Sequence, residues 1–263
     1  MTTPSASPSP AVLRAARVLR LLAGNGEPRS LTLSQLAREL DCAKSSAANI
    51  CAALIETKLV ARSDSNGEFR LDRATLELGG AYLATADPVR EFYNHIADFP
   101  TARQETIQLA FLDGTQVMYL GRHDGQQPIK IWSSTGRRLP ASCTATGKVL
   151  LAALDDDEVR QRYSDTDLPR PTDRSIATID ALLADLAQIR ARGYAIDDEE
   201  ATRGVVCIGV AAPQPTIGDL PLALSATMVK GRDTDQLREA LLEDLHAFAH
   251  RFTNQLDVSR SRA

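Results

Sequence analysis

The chain is sparing with the residues that most chemistry needs. Its 263 residues include four cysteines, four histidines and one tryptophan. Cys42, Cys51, Cys143 and Cys207 form no CxxC pair, and no Cys-His cluster has zinc spacing. Reduced thiols in a cytosolic protein are the expectation. His95, His123 and the pair His246 and His250 are scattered. The pair lies four apart on a helical pattern but has no carboxylate or thiol partner in sequence, so packing or solvent-facing roles are expected rather than a metal. Long apolar runs are missing too. The most apolar stretch, VVCIGVAA, has eight residues, too few to span a membrane. Met1–Pro10 is rich in Ser, Pro and Thr, with no basic start and no apolar run. That composition predicts a disordered tail and no signal peptide. The expectation is a soluble, cytoplasmic protein without membrane contact.

Catalytic signatures are absent as well. No Gly-x-Ser-x-Gly elbow occurs. TATGKV resembles the end of a phosphate loop, but Ser142 stands where glycine is required and Val149 where Ser or Thr is. GNG at 24–26 lacks a third glycine and a preceding strand. In DDEE (197–200), neighbouring carboxylates on an extended segment point to opposite faces, so Asp197 and Asp198 do not make an acid–base pair. Cys207 has no base next to it in sequence. The chain is expected not to be an enzyme and to carry no cofactor.

Charge is present but uneven. Residues 1–75 hold 10 Lys and Arg against 7 Asp and Glu; the remainder holds 20 against 27, for a net charge of −4. The first part is the one suited to meet a polyanion. The 43% apolar content is ample for a core.

The first part reads as three helices and a hairpin. Ala11–Ala23 repeats apolar residues at helical spacing (Val12, Leu13, Ala16, Leu19, Leu22), with Arg14, Arg17 and Arg20 on another face. Ser34–Leu40 follows, opened by a Thr32/Gln35 capping box. Asp41-Cys42 makes a tight turn, and a third helix runs over Lys44–Thr57. Two short strands, 59–62 and 68–71, flank a turn at Asn66-Gly67, where positive φ is expected. This order is that of a winged helix-turn-helix, whose third helix enters the major groove of double-stranded DNA.

The third helix has an odd composition for that purpose. Its front, Lys44, Ser45, Ser46, Ala48 and Asn49, is small and polar; its rear, Leu54 and Ile55, is apolar. Small side chains let the backbone approach a duplex. The serines can donate to phosphate or base edges, Lys44 releases counterions, and Asn49 can bond adenine twice. Arg70 on the wing adds a phosphate contact. The blander alternative is that the serines merely cap a helix.

Beyond the wing, TLELGGAYLAT (75–85) reads as a linker helix weakened at Gly79-Gly80, and Asp87-Pro88 restarts a helix. Strands are expected at Thr106–Phe111, Gln116–Leu120, Ile129–Trp132, Ala195–Asp197, Val205–Ala212 and Leu222–Val229. Helices are expected at Thr146–Leu154, Ile179–Arg192 and Thr234–Phe252. Mixed without strict alternation, they indicate an α+β domain with a mainly antiparallel sheet. The predicted organisation is a tail (1–10), winged helix (11–73), linker helix (74–88) and second domain (89–258).

The segments KSSAANICAAL, LPASCTATGKVLLAAL (139–154), LADLAQIRARGYAIDDEEATRGVVCIGVAAP (183–213) and LPLALSATMV (220–229) together resemble the IclR family of bacterial transcription regulators, named for the isocitrate lyase regulator. The resemblance covers Ala11 to about Leu256. Two departures stand out: the wing ends GEFRLD where the family usually reads Tyr-x-Leu-Gly, and Asn49 stands where the family usually has arginine.

The resemblance implies a GAF-like effector-binding domain, with Ala145, Thr146, Asp197, Cys207, Ser225 and Thr227 at the ligand and Ile131 and Leu139 as apolar walls. The residues add chemistry of their own. Thr144–Gly147 precedes an apolar helix, whose unpaired N–H groups would favour a carboxylate; the alternative is a plain cap with a packed glycine. Ser225 and Thr227, two apart on a strand, share a face. A small organic acid is the expected effector, acting on a homodimer or homotetramer that reads a palindromic operator. A sensor whose winged helix contacts protein, and an enzyme using the acidic run with Cys207, are the competing readings.

Overall fold

A computed structural model describes residues 9–25, 27–84, 87–127, 134–217 and 220–260. Residues 1–8 of the expected tail (1–10) and the expected strand at 129–132, with Ile131 and Trp132, lie outside the described residues; Pro10, expected in the tail, is the first residue of a helix. The chain divides into two compact units, Met1–Thr85 and Ala86–Ala263.

The first unit begins with α1 (Pro10–Ala23), which opens on a proline at its first turn. Next is α2 (Leu33–Glu39), started by the capping box: Thr32 Oγ1 accepts from Gln35 N at 3.3 Å, and Gln35 Oε1 accepts from Thr32 N at 2.8 Å. Asp41, at φ 49°, turns the chain into α3 (Lys44–Glu56). Ala47, Cys51 and Leu54, at helical spacing, bury one side of α3 against Val18, Leu22 and Leu36. The wing is β1 (Val60–Arg62) paired antiparallel with β2 (Phe69–Leu71). Only Gly67, at φ 68°, adopts the positive φ expected of the Asn66-Gly67 tip. Asn66 instead braces the turn through its side chain, accepting from Glu68 N at 3.1 Å.

Two expectations change. The apolar stripe of α1 is not all buried: Val18 and Leu22 enter the core, while Val12 and Leu13 are 67% and 57% exposed. The last element, α4 (Arg73–Ala84), runs unbroken through Gly79-Gly80 and buries no residue.

The second unit is a six-stranded antiparallel sheet with helices on both faces. Its elements are α5 (Asp87–His95), β3 (Thr106–Asp113), β4 (Gln116–His123), β5 (Arg138–Pro140), α6 (Ala145–Ala152), α7 (Asp156–Arg162), α8 (Ile179–Arg192), β6 (Ala195–Asp198), β7 (Val205–Ile217), β8 (Leu220–Val229) and α9 (Asp235–Arg260). The strand order is β5-β4-β3-β8-β7-β6. Alternation along the strands sends Ala110, Leu112, Val117, Tyr119 and Ala223 toward Val149, Leu150, Leu186 and Ile189 of α6 and α8. On the side of α5 and α9, Phe248 stacks on Phe92 and Phe99 at 5.8 and 4.8 Å between ring centroids. Helix α8 ends at Gly193, whose φ of 83° closes it as the sequence predicts.

Candidate functional site

The exposed face of α3 is the first candidate. Its N-cap is Ala43, which has no side chain able to cap, and neither serine takes over that role. The capping alternative for Ser45 and Ser46 therefore falls. The orphan amides of the first turn stay available to an anion, with the positive end of the helix dipole behind them. Lys44, Ser45 and Asn49 are exposed; Ser46 and Ala48 are half-buried. Ser45, Ala48, Asn49 and Ala52 recur at helical spacing and make a low surface that a duplex can approach. Arg70 is exposed on β2, where its neighbour Phe69 is buried. Arg62 is tied to the wing itself: its Nε donates to Gly67 O at 3.3 Å, and its guanidinium lies 5.6 Å from the Phe69 ring centre.

The second candidate is a pocket on the α6 side of the sheet. It is lined by Gln108, Tyr119, Arg137, Leu139, Thr144, Asp197, Ala201, Thr202, Val205, Cys207 and Thr227, and holds about 400 Å³ including its open mouth. Two glycines let α6 lie close to β7 on one side and to the 3-10 turn at Ala141–Cys143 on the other. A Cβ on Gly209 of β7 would sit 2.7 Å from the Ala145 carbonyl carbon, and one on Gly147 would sit 2.3 Å from Ala141 Cα.

Polar groups converge at the pocket floor. Cys207 and Thr227 face each other across β7 and β8, with Sγ and Oγ1 3.3 Å apart. Thr227 Oγ1 donates to Gln108 Oε1 at 3.2 Å. Asp197, 1% exposed, accepts from Glu200 N at 2.7 Å and Ala201 N at 3.2 Å through Oδ1. Burial raises its pKa to about 7 against those two bonds. Burial and the nearby Asp197 carboxyl push the Cys207 thiol well up, so it stays protonated. Burial likewise raises the Tyr119 phenol.

Of the residues expected at the ligand, Leu139, Asp197, Cys207 and Thr227 line this pocket. Ala145, Thr146 and Ser225 are at most 2% exposed and lie beside it rather than on its wall. Thr146 Oγ1 is buried with no hydrogen-bond partner. Gly147 is packed on Ala141, and its amide is capped by Thr144 Oγ1 at 3.1 Å. The start of α6 thus satisfies one of its own donors internally. Ile131 lies outside the described residues.

Gln108, Tyr119, Arg137, Ala201, Thr202 and Val205 escaped the sequence reading. Gln108 had a signal, a polar residue inside an otherwise apolar strand at the inward parity of Ala110. Arg137 had none, since it sits in a turn with no periodicity.

Among the described residues, no group of three or more His, Cys, Asp or Glu is placed to hold a metal. No helix among them is long and apolar enough to cross a membrane.

An open recognition helix on one unit and a polar pocket on the other define a DNA-binding transcription regulator with an effector-binding domain. The chain belongs to the IclR family. Residues 11–64 match the IclR helix-turn-helix domain, and residues 80–254 match the bacterial transcriptional regulator IclR C-terminal domain. It is 29% identical to the transcriptional regulator KdgR of Escherichia coli, with 91% of each chain covered. It is 34% identical to the solved Agrobacterium tumefaciens repressor BlcR (TM-score 0.58; 94% of this chain and 96% of that one). It also shares its fold with an IclR homolog from Microbacterium hydrocarbonoxydans solved with 4-hydroxybenzoate (22% identity, TM-score 0.73; 92% and 98% covered). Such regulators are not enzymes. Asp197 braces its own loop, and Glu200 is paired with Lys148.

Proposed function

We propose that this regulator binds a palindromic DNA operator through α3 and Arg70, and that a small organic acid in the pocket controls that binding. The observation that carries the DNA part is the one-sided third helix: Ala47, Cys51 and Leu54 are buried while Lys44, Ser45 and Asn49 stand open before an uncapped helix start. Two such heads, about 34 Å apart, read successive major grooves.

The acid is supported by Arg137, which supplies a cation to the pocket wall, and by Asp197, whose pKa of about 7 leaves it partly protonated near neutral pH, so that it repels an anion less than an ordinary carboxylate does. The 4-hydroxybenzoate bound to the Microbacterium homolog makes aromatic acids sensible first probes. Ala145, Thr146, Gly147 and Ser225 support the wall from behind. Self-association is supported by apolar residues that the first unit leaves open: Val12 and Leu13 on α1, and Leu76 and Leu78, 79% and 62% exposed, on α4.

The test is a gel shift with DNA from upstream of the gene, at several salt concentrations, with and without a panel of acids. The expected result is salt-sensitive retention of the protein that one acid alters. Retention that no acid alters would end the acid reading, and no retention at low salt would end the DNA one.

A further inference from the structure

We propose that Gln108 is a specificity-determining residue of the pocket, and that its amide nitrogen takes an oxygen acceptor of the effector. The proposal rests on the reading of the pocket as the effector site.

Gln108 lies on β3 with its side chain in the pocket wall, 4% exposed. Its Nε2 is buried and has no hydrogen-bond partner. Its carbonyl end is engaged: Thr227 Oγ1 donates to Gln108 Oε1 at 3.2 Å. Cys207 Sγ lies 3.3 Å from the same Oγ1, where either atom can donate. Both amide protons point away from Thr227 without an acceptor.

A buried donor left unmade is a cost the fold bears continuously, and such groups are rare in folded proteins. An apolar side chain of the same length would fill the position without that cost. A ligand that presents a carbonyl, hydroxyl or carboxylate oxygen to Nε2 removes it. A ligand that presents a C–H there leaves two donors buried and unpaired, and it is rejected for that reason.

The test uses the full-length protein, its Gln108→Met variant and paired probes that differ by one oxygen: 4-hydroxybenzoate against benzoate, and 2-ketobutyrate against butyrate. Methionine keeps the length and removes the donors. Calorimetry should show the wild type preferring the oxygenated member of at least one pair by tenfold or more. In Gln108→Met that preference should fall below about threefold, and the unliganded protein should melt close to the wild type, because the lost Thr227 bond and the removed buried donors act in opposite directions. A preference that survives the substitution overturns the proposal, as does an unliganded melting temperature that drops by several degrees, which would make Gln108 a structural residue. If no acid binds the wild type, the acid reading fails separately. The titration is then repeated with lactones and sugars, and the proposal falls if none binds or if Gln108→Met weakens none.

Discussion

Lys148 Nζ stands 2.5 Å from Glu200 Oε1, with 2% of the lysine side chain exposed. A second carboxylate, Asp185 of α8, lies 2.8 Å away. Burial opposes the lysine charge, but the two carboxylates outweigh it and hold the Lys148 pKa above its usual value. The pair joins α6 to the loop after β6, whose Ala201 and Thr202 line the pocket. Removing one member of a buried pair strands the other charge. Lys148→Met is therefore expected to cost about 3–5 kcal/mol of stability. Urea unfolding followed by circular dichroism measures it; a loss under about 1 kcal/mol would show that the pair is not a clamp.

Asp197 predicts a pH effect of definite sign. Its folded pKa, about 7, lies above the unfolded 3.8 because the carboxyl is buried. Between those values the unfolded chain has released the proton and the folded one has kept it. Stability therefore falls as pH rises from about 4 to 7, by on the order of 4 kcal/mol from this group, and levels off above. Asp197→Asn can still accept at Oδ1 and carries no charge. That variant should lose much of the decline and be the more stable protein at pH 8. Melting curves from pH 4 to 8 compare the two, and parallel profiles would place the titration elsewhere.

The glycines separate by what surrounds them. A Cβ at Gly147 or Gly209 would strike backbone, and backbone in a packed helix does not yield. Gly147→Ala and Gly209→Ala should each lose more than about 2 kcal/mol by overpacking. Gly79 sits inside α4 with nothing within 4 Å of the same atom. There Gly79→Ala should stabilise by about 0.5–1 kcal/mol, because alanine loses less backbone entropy in a helix. Thermal melts of the three variants check the ordering, and a destabilised Gly79→Ala would mean that α4 is held by something other than its own backbone.

The elements legible in advance were those with strong periodicity or strong punctuation. The Thr32/Gln35 box opened α2, Gly193 closed α8, and the family resemblance carried Cys207 and Thr227 to the pocket that they line. Helix α7 was missed because DDEVRQR buries only Val159. What favours it is charge order, with Asp156, Asp157 and Glu158 at its start and Arg160 and Arg162 at its end, which suits the helix dipole. Strand β5 is three residues long and follows a turn, so no alternation could show it. At the pocket, parity along a strand was readable, but which loops close over it was not. Arg137, Ala201 and Thr202 come in from turns, and their convergence is a property of the folded sheet alone.

The open face of α3 makes the last prediction. Lys44 and Arg70 are exposed cations, and a cation at a phosphate binds every sequence alike. Lys44→Ala and Arg70→Ala should weaken specific and non-specific DNA together, and each should flatten the dependence of log affinity on log salt by about one unit. Asn49 carries no charge, so Asn49→Ala should leave that slope unchanged. Its amide can pair with one adenine edge, and losing it should cost about 1–3 kcal/mol on the specific site while relaxing preference at one base pair. Fluorescence anisotropy on the operator and on single-base variants, at three salt concentrations, separates the two patterns. If Lys44→Ala and Arg70→Ala leave affinity and slope unchanged and Asn49→Ala leaves every base preference intact, the duplex does not lie against this helix, and the exposed Ser45 requires another partner.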